Sequence, residues 1–206
     1  MTCPLIVTVP DFDAGAREIA LRFARIAPVP PIVRIEGVCG AGKTNIARRL
    51  APLMQASLIA GDEFATKHES PPAYHECIRR SELDAAIAQA LSTHSTLILE
   101  AICLDDIAPI ERWGRGLVVY IKQLSFNNRD PLWHDGFRLE EDPPKDEPHR
   151  SVQFYHMRIR PHENADLIIE LPQEGHALRA ESFSRHFCFD PPNSTVAERA
   201  AAENSR

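Results

Sequence analysis

The segment Gly37-Val38-Cys39-Gly40-Ala41-Gly42-Lys43-Thr44 fits G-x-x-x-x-G-K-[ST] at every fixed position. Glycines let a backbone close tightly round an anion with several N–H groups turned inward, and a helix starting at the end of such a loop adds its positive N-terminus. The stretch from Gly37 to Asn45, with Cys39, Gly40, Ala41 and Gly42 inside it, is therefore expected to hold nucleotide phosphates. Lys43 would reach the β- and γ-phosphates and Thr44 would ligate a metal. ATP and Mg2+ are the expected cofactors.

Two carboxylates complete that chemistry. Asp62 follows the apolar Leu58-Ile59-Ala60-Gly61, and Glu100 closes Leu97-Ile98-Leu99. In an open α/β sheet ligands collect outside the carboxyl ends of the strands, which is where both acids would stand. An acceptor hydroxyl needs a carboxylate to orient it and take its proton, a role that suits Asp62. Magnesium takes oxygen ligands and keeps waters, so Thr44, Asp62 and Glu100 are the candidate metal residues. Phosphoryl transfer also uses cationic groups on the migrating charge, for which Arg158 and Arg160, with Arg129, Arg138 and Arg150 nearby, are candidates beside Lys43. Tyr74, His75, Arg79 and Arg80 could line an acceptor site next to Asp62. Trp133-His134-Asp135 and the histidines at 149, 156 and 162 lack ligand spacing on a regular element and read as loop side chains.

The elements that must position these residues follow from periodicity. Asp13 would cap a helix carrying Ile19, Leu21, Phe23, Ala24 and Ile26, stopped by the stretch from Ala27 to Pro31. Ile32-Val33-Arg34-Ile35 reads as a buried strand delivering Gly37, and a helix from Lys43 carries Ile46, Leu50 and Leu53 on one face. Further strands are expected over Ser57 to Ala60, Thr96 to Ala101, Leu117 to Leu124 and Ala165 to Leu171. Between them, Ile78, Leu83, Ile87 and Leu91 mark a helix ending near His94, and another runs from Val152 to Ile159. The polar, proline-interrupted region around 125–150 is expected to be a mobile lid, and the tail from Pro191 a terminal helix or a frayed end.

Strands and helices alternating at this spacing predict an α/β fold: a P-loop NTPase three-layer sandwich with a mostly parallel central sheet. No repeat or linker divides the chain, so one domain over 1–206 is expected.

The combination resembles the uridine kinase-like branch of small P-loop kinases over roughly residues 32 to 171. The resemblance is carried by Gly37 to Thr44, by Leu58-Ile59-Ala60-Gly61-Asp62-Glu63-Phe64, by Leu97 through Leu104, and by the segment from Arg160 to Ile169. It implies that Asp62 occupies the place of the acid that activates the acceptor hydroxyl. The chain departs from the family where Glu63 replaces a second Asp and Ala101 a glycine. The resemblance supports phosphoryl transfer and leaves the acceptor open.

Composition bounds the alternatives. Hydrophobic residues at 44% and charged residues at 25% fit a globular protein, and a formal net charge of −6 argues against a nucleic-acid partner. No run of apolar residues is long enough for a membrane span, and no leader pattern opens the chain, so a cytoplasmic location is expected. Cys3, Cys39, Cys77, Cys103 and Cys188 form neither a disulfide framework nor a zinc pattern. The expected function is transfer of the γ-phosphoryl of ATP to a hydroxyl of a nucleoside-like or other small metabolite; homo-oligomerisation stays open. A nucleotide switch is the alternative, with Asn127-Asn128-Arg129-Asp130 as a degenerate guanine reader, but no Asp-x-x-Gly follows the third expected strand. An ATPase acting with a macromolecular partner ranks below the kinase reading.

Overall fold

A run of β-branched residues buried on both faces belongs in a parallel sheet, and Ile32–Gly37 is buried at all six positions. In the computed structural model, which describes residues 3–26, 31–67, 72–124, 147 and 149–172, this run is the central strand β2. The other strands are β1 (Leu5–Thr8), β3 (Ser57–Ala60), β4 (Leu97–Glu100), β5 (Leu117–Leu124) and β6 (Leu167–Pro172). They form a six-stranded sheet in the order β1-β6-β5-β2-β4-β3, and every neighbouring pair is parallel. The helices are α1 (Phe12–Ala24), α2 (Lys43–Met54), α3 (Arg80–Thr93), α4 (Leu104–Ile107), α5 (Ile110–Trp113), α6 (His149–Ile159) and α7 (Pro161–Asn164).

Strand pleat sorts the core into two layers. Val33 and Ile35 of β2 face α1 and α2, where Ile19, Phe23, Ile46 and Leu50 pack with Ile98, Val119 and Ile169. On the opposite face Ile32, Leu97 and Leu99 meet Leu83 and Ile87 of α3 and Val152 and Tyr155 of α6. Arg34 and Glu36 occupy that second face of β2, both buried. The expected three-layer α/β sandwich with a parallel sheet is the architecture observed.

Local details differ from the sequence expectation. The edge strand β1 was not anticipated: it is four residues long, and Leu5 and Ile6 are 42% and 54% exposed, so no burial period announces it. Helix α1 is capped by Asp11, whose Oδ1 accepts from Ala14 N at 2.7 Å, and not by Asp13, which pairs with Arg49 at 2.7 Å. Leu21 and Leu53 project outward because Ile19 and Phe23, and Ile46 and Leu50, already define the inner stripes one turn apart. Ile78 precedes α3 and bridges Ala65. The expected lid, apart from residues 147 and 149–150, and the tail from Pro191 lie outside the described residues. Among the described residues no helix is long and apolar enough to cross a membrane.

Candidate active site

The turn joining β2 to α2 needs backbone angles that only glycine adopts without strain. Gly37, Gly40 and Gly42 have φ of 153°, 75° and 92°. A Cβ on Gly37 would lie 2.6 Å from the Ile121 carbonyl oxygen, and one on Gly42 only 2.4 Å from Cε1 of Phe12. The loop is thereby pressed against β5 below and α1 beside it. Helix α2 starts at Lys43 with no side-chain cap and no acidic residue in its first turn, leaving its N-terminal N–H groups turned into the loop. Lys43 is 6% exposed, and its Nζ donates to the Val38 carbonyl at 2.8 Å across the loop. Cys39, Gly40 and Ala41 belong to the same turn, with Ala41 N donating to Val38 O at 3.2 Å, and Asn45 lies in the first turn of α2.

Parallel register brings the acids to this end of the sheet. Ile35 pairs with Glu100 across β2 and β4, and Ala60 pairs with Glu100 across β3 and β4. Thr44 Oγ1, on the first turn of α2, donates to Glu100 Oε1 at 2.8 Å. Glu100 is 1% exposed, and no donor among the described residues meets its second oxygen, Oε2. Burial raises its carboxyl above the ordinary range, with Lys43 and Thr44 acting in the opposite sense and the charge of Asp62 adding to it. An orphaned buried carboxylate oxygen beside a threonine hydroxyl is a hard, all-oxygen donor set, which fits magnesium bound by few protein ligands. Among the described residues no cluster of His, Cys, Asp and Glu forms a complete protein cage for a metal.

Asp62 stands on the one-turn 3₁₀ segment Gly61–Phe64 that follows β3. It is exposed, and its Oδ1 accepts from the hydroxyl of Tyr74, which is itself 6% exposed. Burial and then the neighbouring Asp62 charge hold the Tyr74 hydroxyl well above its usual range, so it is a donor that stays protonated. Tyr74 and His75 sit on a 3₁₀ turn, Tyr74–Glu76, before α3. Arg79 is engaged by Glu82 at 2.9 Å, and Arg80 Nη1 donates to the Asp106 carbonyl at 2.6 Å.

The structure thus brings Lys43, Thr44, Glu100 and Asp62 together, while Arg158 and Arg160 are engaged by Asp106 and Glu163. Arg158 Nη2 donates to Asp106 Oδ1 at 2.5 Å on the exposed side of α6. Arg160 pairs with Glu163 at 2.7 Å, and its carbonyl accepts from Asn164 N, next to the Asn164 carbonyl that Arg115 Nη2 holds at 2.8 Å. Arg115 and Asn164 precede β5 and β6, so Arg160 lies at the amino end of the sheet while the loop lies at the carboxyl end. On α6, Arg158 lies one turn beyond Tyr155, with its guanidinium 5.9 Å from the Tyr155 ring. Arg129 and Arg138 lie outside the described residues.

Sequence reasoning missed one group beside the loop. Glu36, the residue before Gly37, is 5% exposed and accepts from the Tyr155 hydroxyl with both oxygens at 3.0 Å. The same hydroxyl accepts from Asp105 N at 3.1 Å. Below it Arg34, 1% exposed, donates from Nη2 to Ala108 O at 2.6 Å and faces Asp105 at 3.8 Å. The available signal was a charged pair, Arg34 and Glu36, interrupting an otherwise apolar strand that leads straight into the motif.

No family model matches the chain, and no curated protein matches it in sequence. Among solved structures, a possible uridine kinase from Bacillus stearothermophilus is similar with TM-score 0.52 and 13% identity, over 75% of this chain and 96% of that one. A candidate fructose transport system kinase from a Silicibacter species aligns with TM-score 0.41 and 13% identity, over 80% of this chain and 99% of that one. At this identity the likeness to the possible uridine kinase is one of architecture, and it agrees with the parallel sheet described above: the two chains share an α/β fold.

Proposed function

We propose that this protein is an ATP-dependent small-molecule kinase that transfers the γ-phosphoryl group to a hydroxyl of a nucleoside-like or other small metabolite. The observation that carries the reading is the convergence of Lys43, the Thr44–Glu100 pair and Asp62 at the carboxyl end of one parallel sheet. Magnesium-bound ATP supplies the transferable phosphoryl group. The glycine loop and the N-terminus of α2 orient its phosphates, and Lys43 offsets charge on the β- and γ-oxygens. Thr44 and Glu100 would hold the magnesium ion, which would neutralise phosphate charge, and Glu100 Oε2 meets no donor among the described residues. Asp62, fixed by Tyr74, orients the acceptor hydroxyl and takes its proton as that oxygen bonds to the γ-phosphorus and the bond to the ADP oxygen breaks. Arg158 and Arg160, candidates for the migrating charge, pair with Asp106 and Glu163, and they would act only by leaving these partners. Asp62 serves as base, and its place among the metal residues is secondary because its described partner is Tyr74. A cytoplasmic setting suits the thiols of Cys3, Cys39 and Cys103, which form no disulfide among the described residues.

The test is ADP production from ATP and magnesium across nucleosides, sugars, vitamins and amino alcohols, with Asp62→Asn as control. An acceptor that raises turnover in the unmodified protein, and at least about a hundredfold less in Asp62→Asn, establishes the kinase and names its substrate class. ATP binding with no acceptor-dependent turnover over the whole panel removes the kinase reading.

A further inference from the structure

The carboxyl group closest in sequence to the phosphate loop has no role in the scheme above. Glu36 is the last residue of β2 before the loop glycine Gly37. Its side chain points away from α2 into the layer formed by α6 and the segment after β4, where Tyr155 meets both of its oxygens. Because the Tyr155 hydroxyl also accepts from Asp105 N, one oxygen atom ties together three pieces: the strand entering the loop, the segment after Glu100, and α6. The spacing between the phosphate loop and the wall bearing Glu100 therefore depends on this junction.

We propose that Glu36 and Tyr155 are a positioning pair for the phosphate-binding loop, and that Glu36 takes up a proton from solvent when the phosphates of a nucleotide seat in that loop. The proposal rests on the nucleotide-binding reading above. Several charged or titratable groups bear on Glu36: Arg34 on its own strand, Asp105 and Cys103 after β4, Lys43 at the start of α2, Tyr155 on α6 and Tyr120 on β5. Burial raises its carboxyl to about 7, with Arg34, the Tyr155 hydrogen bond and Lys43 drawing it down and Asp105 pushing it up. At neutral pH the free protein thus holds both forms of Glu36. Seated phosphates add negative charge at the next residue along the chain, and they engage Lys43, one of the cations that favours ionised Glu36. Both effects favour the neutral acid. Arg34 cannot compensate by moving, since its Nη2 is committed to the Ala108 carbonyl.

The sign follows by linkage. If bound phosphates raise the Glu36 pKa above about 7, affinity is greatest below that value and declines as pH rises through it until the bound-state pKa is passed. The probe is a non-hydrolysable ATP analogue with excess magnesium, which keeps the ligand's own last ionisation below the tested range. The expected result is a fall in affinity of roughly three- to tenfold between pH ~6 and ~8 in the unmodified protein. In Glu36→Gln, whose amide oxygen still accepts from Tyr155, the decline should shrink to less than about twofold. In Tyr155→Phe the midpoint should move to higher pH, because a hydrogen bond that favours the ionised acid is gone. Calorimetry on the unmodified protein in two buffers of different ionisation enthalpy should show proton uptake on binding near pH ~7.5. That measurement stands even if a variant fails to fold. Binding without proton uptake, superimposable profiles for the unmodified protein and Glu36→Gln, or an unmoved midpoint in Tyr155→Phe overturns this inference alone. Absence of binding at every pH overturns it together with the nucleotide-binding reading.

Discussion

At the residue scale, Glu100 shows how much of the site is a matter of incomplete satisfaction. One of its oxygens takes the Thr44 hydroxyl and the other meets no donor among the described residues, although the side chain is 1% exposed. Such a group is costly unless something else occupies that lone pair. Glu100→Gln keeps the acceptor for Thr44 and removes the negative charge, so the magnesium concentration for half-maximal turnover should rise at least about tenfold while metal-free nucleotide binding changes little. An unchanged magnesium requirement would take Glu100 out of the metal's surroundings. Asp62 differs in kind: it is exposed and oriented by a single tyrosine, as befits a group that must meet a substrate arriving from solvent.

At the scale of elements, the phosphate loop is shaped by what presses on it. Phe12 opens α1 and lies against Gly42, so the packing of α1 on α2 extends to the loop itself. Gly42→Ala combines a strained φ with a Cβ placed 2.4 Å from the Phe12 ring, and the aromatic side chain or the loop must shift. The expected cost is about 2 kcal/mol of stability together with weakened nucleotide affinity, measurable by denaturant unfolding and by titration with the ATP analogue. Replacing Phe12 by Leu in the same background should restore part of the stability by removing the ring edge; no recovery would mean that backbone strain alone sets the loss. Helix α6 makes the same point from the other face. Its sequence suggested a source of phosphate-binding arginines, but its direction along the sheet commits Tyr155 to Glu36 and turns Arg158 to Asp106.

Across the whole molecule, the layer carrying α6 contains a second pH-sensitive anchor. His156 is 2% exposed, its Nδ1 donates to the Val152 carbonyl at 2.8 Å, and its ring meets the edge of Tyr120 on β5 at 5.9 Å. Burial pushes its pKa down to about 4, so the native state holds it neutral. A group with a depressed native pKa contributes stability that is complete above its unfolded value, 6.5, and is lost as pH falls toward about 4. The loss is at most roughly 3 kcal/mol, and His156→Gln should flatten this part of the stability-versus-pH curve. Equal slopes in the two proteins would place the acid sensitivity elsewhere. Glu36 acts with the opposite sign: its raised pKa makes its contribution complete below 4.5 and lost as pH rises to about 7.

The amino-acid sequence by itself determined the central strand, the phosphate loop, the helix that follows it and the strand-end acids. Each of these is a local pattern with a strong physical signature: β-branched burial, glycine where φ is positive, an apolar stripe one turn apart, a carboxylate ending an apolar run. Only the tertiary structure decided which polar residues meet. Parallel pairing of β2, β4 and β3 set Glu100 opposite Thr44, and the path of α6 paired Arg158 with Asp106 while delivering Tyr155 to Glu36, 119 residues away in the chain. Edge strand β1 also went unread, because a short strand paired on one side carries too little burial to leave a period. Contacts between distant segments depend on the direction and register of whole elements, and no spacing within a single segment encodes them.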